Sequence, residues 1–409
     1  MKKQGFALII ASFTLSIISC RKEGCTDENA INYSTEAKKE DGSCVYEDDN
    51  NYPAPSTYTF TRNGHSTVDI NGQYQRLDML SEMVDYLKSA NVAGVSLDAT
   101  TLKAMYANDN YTWIDLNTLG MTGSSKQLKN KTAYASYNGS SDIGVQNQFI
   151  AYFDSVATIS ANTTAGQELG TAGQAGVWPN DGKKGPYLMN GKGHEYTQLI
   201  EKGLMCAVFM NQMTVNYLAG ISNDDNTIIV DSVNGKYYTE MEHHWDEAFG
   251  YFTSAINFPE SGTDRFWGEY SNGREALLQS ATTIVNAFIT GRTAIINKDY
   301  ALRDKQVTII NNEMEKVAAG TAIHYLNVAK ANITYNTIRN HVISEAVAFI
   351  NGLKYGYNAI NNQGLSTNDI ENALNYIGDD FNAVTISSLN SCINLLASKT
   401  GLEDVKTQL

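Results

Sequence analysis

The chain has 409 residues, with 30 lysines and arginines against 44 aspartates and glutamates, so its formal net charge at pH 7 is −14. This acidic balance argues against nucleic acid and anionic lipid headgroups as partners, because polyanions repel a negatively charged surface. Hydrophobic residues make up 42% of the chain, which is enough for a large buried core. The composition therefore favours a globular protein whose partners are not polyanions.

The first residues are typical of an exported protein. A basic start precedes an apolar run at residues 6–18, which is too short to span a bilayer as a helix. Ile17-Ile18-Ser19-Cys20 resembles the lipobox of bacterial lipoproteins, in which the cysteine is acylated after cleavage. Arg21 follows instead of aspartate, so the resemblance implies an outer-membrane anchor. We therefore interpret residues 1–19 as a lipoprotein signal peptide; an ordinary signal peptide with a chance cysteine is the alternative.

The cysteine count favours one disulfide near the N-terminus. Acylation of Cys20 would leave four of the five cysteines, an even number in an oxidising compartment. Cys25 and Cys44 enclose a segment that resembles a short cysteine-bounded repeat of bacterial secreted proteins. We expect these two to pair, which would stabilise a loop of this length by about 3 kcal/mol. A disulfide knot is preferred here over a calcium site, and Cys206 and Cys392 are interpreted as buried thiols.

The rest of the chain has the periodicity of helices. Residues 20–56 are interpreted as the lipidated cysteine, a small disulfide module and a proline-bearing linker, and residues 57–409 as one helical-bundle domain. Apolar residues recur every three or four positions through proline-free segments, namely 195–218, 238–256, 275–296, 306–333 and 335–360. These patterns predict an all-α fold of antiparallel helical bundles, with two fused four-helix bundles as one possible form. Residues 227–233 show the alternation of apolar and polar side chains that is typical of strands, which predicts a hairpin in a loop.

A glycine-rich segment at 160–194 predicts a long loop that leads into a histidine-bearing helix. The helix begins like H-E-x-x-H, in which two histidines one turn apart hold zinc and the glutamate activates water. Gln198 replaces the second histidine, so the protease motif is broken. His194, Gln198 and Glu201 are spaced by four and three residues, which predicts one interior-facing stripe that excludes Glu195. The sequence therefore predicts that Glu195 is dispensable.

Further predicted helices carry histidines beside carboxylates. His244 and Glu247 are three residues apart, Glu240 and His243 share the flank of this face, and His244 is the favoured inward-facing imidazole. Glu345 lies in an apolar stripe, where an unpaired carboxylate is costly. Metal sites in helical bundles combine such side chains on facing helices. We therefore predict an interior cluster that is either purely structural or holds a divalent or ferric ion (iron, zinc or calcium), formed by His194, Glu201, His243, His244, Glu247 and Glu345.

Three motifs carry a resemblance to a known family. They lie at 193–203 (GHEYTQLIEKG), at 243–251 (HHWDEAFGY), and at Glu345 with 351–356 (NGLKYG). With these motifs the main body resembles the lipoprotein family known as domain of unknown function 4856. That family is similar, more remotely, to the imelysin-like proteins, two-bundle helical proteins that are linked to iron uptake and bear G-x-H-x-x-E. This chain matches the imelysin motif only in part, at residues 244–247 and without its glycine.

The resemblance implies a non-enzymatic outer-membrane lipoprotein that binds a metal ion or metal chelate. Such a protein would face the cell surface or the periplasm, held to the membrane by its lipid anchor, and would assist iron uptake beside an outer-membrane receptor. A metal-dependent peptidase of imelysin type is the alternative, although the sequence contains no intact H-E-x-x-H motif. A third interpretation is a glycan- or protein-binding surface lipoprotein, for which 24 tyrosines and 4 tryptophans offer contact surface.

Overall fold

The structure is a computed structural model, and it describes residues 22–28, 30, 32–41, 43–44, 52–135, 139–259 and 264–409. The predicted signal peptide and Cys20 lie outside the described residues. The chain divides into two compact units. The first comprises Met1–Asp48 with Asp231–Lys236, and the second comprises Asp49–Val230 with Tyr237–Leu409.

The first unit contains the predicted disulfide module. Cys25 and Cys44 are bonded to each other, which confirms the predicted pair. The acidic side chains of the module bind its own backbone: Glu40 accepts the amide N–H of Thr26 at 2.7 Å, and Asp41 accepts that of Ser43 at 2.9 Å. These bonds hold the turns around a disulfide in which Cys25 is buried and Cys44 is half-buried.

The described residues of the second unit are mainly helical, which confirms the predicted all-α class. The helices are α1 Asn71–Ser89, α2 Ala99–Ala107, α3 Asp115–Thr118, α4 Ile143–Ala161, α5 Tyr196–Leu204, α6 Glu240–Phe252, α7 Phe266–Asn272, α8 Glu275–Leu278, α9 Ser280–Ile296, α10 Tyr300–Ala331, α11 Asn336–Gly352, α12 Tyr357–Ile360, α13 Thr367–Ile377 and α14 Ile386–Thr400.

Strands are short. Antiparallel pairs are formed by β1 Thr61–Arg62 with β2 His65–Ser66, and by β3 Gly176–Trp178 with β4 Tyr187–Met189. The remaining strands are β5 Ile229–Asp231 and β6 Lys236–Thr239, so the segment for which the sequence predicts a hairpin does contain strand.

A central helix organises the second unit. The helix that begins as α5 continues through two π-helical segments, Met205–Met210 and Gln212–Leu218, and its 28 residues end at Asn223. Among the described residues it is the one helix long and apolar enough to cross a membrane, but 94% of its most apolar window is buried in the fold. The helix is thus surrounded by the other elements, and we call it the core helix.

Neighbouring helices pack closely because glycines remove side chains at the contacts. α11 packs on α5 and α10, while α6 packs on the core helix and α9. A Cβ at Gly291 on α9 would lie 2.1 Å from the Trp245 ring of α6, so only glycine permits this approach. Buried apolar side chains form one continuous core from Tyr58 to Leu409.

The glycine-rich segment is an ordered connection that carries the β3–β4 hairpin. Near its end Gly193 has φ +86°, and a Cβ there would lie 2.1 Å from Nδ2 of Asn340. Glycine therefore permits both the left-handed turn and the close approach to α11. This turn places the residues that precede α5 directly against α11.

Candidate functional site

The first group of interior ionisable residues joins the start of the core helix to α11. We call it the α5–α11 cluster; its members are Glu195, Glu201, Lys202, His341 and Glu345. His341 Nδ1 lies 2.6 Å from Glu195 Oε2, and His341 Nε2 lies 3.6 Å from Glu345 Oε2. Because both ring nitrogens face carboxylates, the arrangement favours the doubly protonated imidazolium. Burial lowers the pKa of His341, but Glu195 and Glu345 outweigh it, and the net pKa is raised.

A lysine supplies the second positive charge of the α5–α11 cluster. Lys202 Nζ lies 2.6 Å from Glu201 Oε1 and 3.9 Å from Glu345 Oε1. Burial lowers the pKa of Lys202, but these two carboxylates outweigh it and raise the net value. Burial also raises the pKa of Glu345 above its ordinary value. Two of the predicted metal ligands, Glu201 and Glu345, therefore share one internal ammonium group.

The structure changes the interpretation of the broken protease motif. Glu195 is fully buried, so the prediction that it lies off the interior face is wrong. The physical reason is that α5 begins at Tyr196 and Glu195 is the extended N-cap residue, with φ −91° and ψ 98°. Helical spacing therefore does not apply to it. His194 lies elsewhere, with Nε2 2.8 Å from the carbonyl oxygen of Asp379, and burial lowers its pKa.

A second group lies at the start of α6. We call it the α6 site; it consists of Asp224, Glu240 and His244. His244 Nδ1 lies 2.9 Å from Asp224 Oδ2, and one ligand atom from each of the three residues lies within 4.8 Å of the others. The amide N–H of Asp225 donates to Glu240 Oε2 at 3.2 Å, which ties the loop after the core helix to the first turn of α6. Asp224 is buried, His244 is half-buried and Glu240 is exposed, so the site opens to solvent.

The protonation of His244 is controlled by its neighbours. Burial lowers the pKa of His244, but the hydrogen bond and charge of Asp224 outweigh it, and the net pKa is raised. Sequence reasoning identified His244 and placed Glu240 on its flank, but it did not include Glu240 among the predicted ligands, and it missed Asp224. Glu240 precedes His244 by one helical turn, so its position beside the imidazole follows from helical spacing. Asp224 could not be found in this way, since it lies 20 residues away across a loop.

The other predicted residues of α6 lie beside this site. His243 Nε2 lies 4.0 Å from Glu247 Oε2, and the His243 ring stacks on Tyr238 at 4.4 Å. Glu247 Oε1 accepts a 2.7 Å hydrogen bond from Gln73 on α1. Burial raises the pKa of Glu247, but His243, Gln73 and His244 outweigh it and the net pKa is lowered. Glu247 is thus an ionised acid that holds α6 to α1.

The six residues predicted as one metal cluster are not gathered into one centre. Within the described part of the chain, two groups of at least three His, Cys, Asp or Glu residues bring their ligand atoms within 4.8 Å. One is the α6 site. The other consists of Cys25, Glu40 and Cys44, whose sulfurs are consumed by the disulfide. Of the six predicted residues only His244 belongs to either group, because the others are paired with separate partners.

Sequence reasoning also missed a buried ion network between α6 and α9. Arg292, which is completely buried, places Nη1 2.9 Å from Glu242 Oε1 and Nε 2.9 Å from Asp246 Oδ1. Tyr58 donates its hydroxyl to Asp246 Oδ1 at 2.7 Å, and Arg62 Nη1 lies 2.8 Å from Glu242 Oε2. The signal for this network was an arginine inside an apolar helix, since such a charge needs a partner.

The two acids of this network differ in protonation. Burial raises the pKa of Glu242, but Arg292 and Arg62 outweigh it, and the net pKa falls to about 2. Burial dominates at Asp246 and raises its pKa to about 7, although Arg292 opposes this. The difference follows from the partners, because Glu242 faces two guanidinium groups while Asp246 Oδ2 has no hydrogen-bond partner. The network therefore holds one carboxylate that stays ionised, Glu242, and one that takes up a proton near pH 7, Asp246.

Comparison with known proteins identifies the family. Residues 55–402 match the model of a domain of unknown function, DUF4856, and the chain therefore belongs to that family. The matched region includes the α5–α11 cluster, the α6 site and the Arg292 network, and it confirms the resemblance that the three sequence motifs indicated. No curated protein and no solved structure matches the chain.

Proposed function

We propose that this DUF4856 protein is a lipid-anchored outer-membrane protein that binds a divalent or ferric metal ion at the α6 site and assists metal acquisition without catalysis. One observation carries the proposal: an imidazole nitrogen and two carboxylate oxygens lie within 4.8 Å of one another. A mixed nitrogen and oxygen ligand set suits zinc and iron better than the hard cations, which prefer oxygen alone.

The charges and dimensions of the α6 site fit such an ion. Two carboxylates and a neutral imidazole carry a charge of −2, which would balance a divalent cation. Ligand bonds of about 2.0 to 2.2 Å require donor atoms that are closer together than 4.8 Å, so a small inward movement of the exposed Glu240 side chain completes the site. Water would fill the remaining positions. Access from solvent supports reversible binding, as acquisition requires.

Binding would compete with a proton. His244 Nδ1 now shares a hydrogen bond with Asp224, and a ligating imidazole must be neutral. Because Asp224 raises the pKa of His244, the proton is held more firmly than usual and must leave when metal binds. Metal affinity is therefore expected to fall as the pH falls.

The surroundings support a binding protein over a peptidase. A metallopeptidase needs a carboxylate base that is free to take a proton from metal-bound water. Glu247 is committed to Gln73, His243 and Tyr217. Glu195, the base of the broken motif, is committed to His341 in the other cluster. The described carboxylates of these motifs thus act as structural groups.

The proposed membrane anchor and the proposed role in metal acquisition are supported by sequence motifs. Cys20 behind Ile17-Ile18-Ser19 supports lipidation, and Arg21 after it supports the outer membrane. Delivery of metal to an outer-membrane receptor, with iron as the metal, is proposed from the partial sequence resemblance to imelysin-like proteins at residues 244–247.

Metal titration of chelator-treated protein tests the proposal. Thermal unfolding would be followed with Zn²⁺, Mn²⁺ and Fe³⁺, for wild type, Asp224→Asn and His244→Gln. At an ion concentration of about 100 Kd we expect about 2.7 kcal/mol of stabilisation in wild type, which both variants should lose. Glu168→Gln removes an exposed carboxylate of the glycine-rich segment and is the matched control.

Two outcomes would overturn the proposal. If none of the three ions stabilises wild type, or if Glu168→Gln loses as much stabilisation as the site variants, the α6 site does not bind metal. If purified protein hydrolyses peptides and Glu247→Gln abolishes that activity, the non-enzymatic assignment is wrong.

A further inference from the structure

A small cavity lies between the core helix, α10 and the connection from α11 to α12. Its volume is about 10 Å³, the space of one water-sized sphere. Its polar lining comes from Thr214, Asn311, Glu315, Tyr357 and Asn358, and methionine, leucine, glycine and alanine residues complete it. The cavity contains no residue of the α6 site and is a separate feature of the fold.

Two amide oxygens in the cavity wall have no hydrogen-bond partner. Asn358 Nδ2 donates to Asn312 Oδ1 at 3.0 Å and to Glu315 Oε2 at 2.7 Å, which determines the orientation of the amide. Its Oδ1 consequently lacks a donor, and so does Oδ1 of Asn311. These two residues are only 4% and 5% exposed. Buried acceptors without donors are uncommon and costly, which points to a missing partner.

The remaining polar groups of the wall are also oxygens, and one of them is charged. Glu315 accepts the amide N–H of Leu365 at 2.7 Å in addition to Asn358, and no described cation pairs with it. Thr214 Oγ1 already donates its hydrogen to the Met210 carbonyl at 2.8 Å. The wall therefore presents acceptors and a negative charge that lacks a counterion.

We infer that this cavity binds a single hard cation, sodium or calcium, through Asn311 Oδ1, Asn358 Oδ1 and the Glu315 carboxylate. Carboxylate and amide oxygens are the ligands that such ions prefer, and the wall offers no imidazole or thiolate for a transition metal. A water molecule could donate to Asn311 Oδ1 and Asn358 Oδ1, but it would leave the Glu315 carboxylate without a counterion, which a cation supplies. The ion would join the core helix, α10 and the α11–α12 connection.

Thermal unfolding in the Asp224→Asn background tests this site apart from the α6 site. Protein freed of metal would be titrated with CaCl₂ or NaCl, with choline chloride added to keep the ionic strength constant. We expect a saturable rise in melting temperature with calcium or sodium, and no rise with choline alone. The absence of any rise with both ions would overturn the inference.

Two substitutions of Asn311 are expected to change ion binding in opposite directions. Asn311→Leu removes an acceptor and should abolish the ion response, whereas Asn311→Asp adds a charge and should tighten ion binding at least tenfold. Asn162→Asp, which adds the same charge at an exposed position, is the matched control and should leave the response unchanged. If both Asn311 variants respond to ions as the parent does, the cavity holds no ion.

A crystal structure of the wild-type protein, grown with calcium or sodium, avoids dependence on the stability of the variants. Ligand distances of about 2.3 to 2.6 Å at the cavity centre would support the inference. A density peak at ordinary hydrogen-bond distances of about 2.8 Å would identify an adventitious or structural water only, and would overturn it.

Discussion

His341 Nδ1 lies 2.6 Å from Glu195 Oε2, and this contact joins α11 to the residue that precedes α5. Both side chains are buried, and the ring of Tyr187 from β4 stacks on the imidazole at 4.1 Å. The glutamate of the broken protease motif is therefore a structural acid that fastens the glycine-rich segment to two helices.

Loss of Glu195 is expected to be strongly destabilising. Glu195→Ala would leave a buried imidazolium without its nearest counterion, and we expect the free energy of unfolding to fall by about 3 kcal/mol or more. Urea denaturation monitored by circular dichroism would measure this. Glu168→Ala, at an exposed position of the same segment, should change stability by no more than about 0.5 kcal/mol. Equal stability of Glu195→Ala and wild type would support the sequence-based view that Glu195 is dispensable.

The features predicted correctly from the sequence are those that depend on local periodicity. The all-α class, the main helices and the interior position of Glu345 follow from apolar residues that recur at helical intervals. Glu195 was misplaced because the same periodicity was extended to His194, two residues before the true start of α5. A shift of one position at a helix end moves a side chain from one face to another, and helix boundaries are the least certain feature of such patterns.

Contacts between distant segments could not be predicted in this way. Glu195 and His341 are 146 positions apart, and Arg292 is 46 positions from Asp246. Helical spacing indicates which residues share a face but not which face of another helix opposes them. The lysine beside Glu201 and the arginine in α9 did carry a usable signal, because charges in apolar helices require partners.

The stability supplied by His341 should depend on pH. Its pKa in the folded protein lies above the ordinary value of 6.5, because Glu195 and Glu345 outweigh burial, while Lys184 opposes them weakly. The folded state therefore binds this proton more tightly than the unfolded state. The resulting stability should be complete below pH 6.5 and should be lost as the pH rises through the folded pKa.

Comparison with His341→Gln isolates this contribution. The difference in free energy of unfolding between wild type and variant should shrink as the pH rises from about 5.5 to about 8.5. His65→Gln removes a histidine with an exposed position and should show no such trend. A difference between wild type and His341→Gln that stays constant over this range would contradict the proposed imidazolium.

Metal binding should not depend on the α5–α11 cluster. Glu201 and Glu345 share Lys202, which already supplies their positive charge. Glu201→Gln and Glu345→Gln should therefore lower stability but leave the affinity for Zn²⁺ or Fe³⁺ within about twofold of wild type, whereas an α6-site change of one ligand costs far more. Isothermal titration calorimetry would measure these affinities. Loss of metal binding in Glu201→Gln would show that this residue is a metal ligand, as the sequence predicted.

Lipidation of Cys20 remains a sequence prediction with a direct test. Wild type expressed with a labelled fatty acid should incorporate the label and fractionate with the outer membrane. Cys20→Ala should do neither, whereas Cys206→Ala should behave as wild type because that thiol is buried in the core helix. Unchanged labelling of Cys20→Ala would show that the lipobox resemblance is coincidental.

The Arg292 network offers the sharpest test of how α6 is held to α9. Arg292→Met should cost about 3 to 5 kcal/mol, because it leaves Glu242 buried as an anion without its fully buried partner. The free energy of unfolding of Arg292→Lys should lie between those of Arg292→Met and wild type, since a single ammonium cannot reproduce the two hydrogen bonds at 2.9 Å.

Removing the acids together with the arginine separates charge burial from packing. In the triple variant Arg292→Met, Glu242→Met and Asp246→Leu, no unpaired carboxylate is left between the two helices, and Arg62, which loses Glu242, is partly exposed to solvent, so most of the stability lost in Arg292→Met should return. Urea unfolding of the single and triple variants gives the coupling energy directly. If the triple variant were no more stable than Arg292→Met, the cost would come from lost packing around the guanidinium and not from the uncompensated carboxylates.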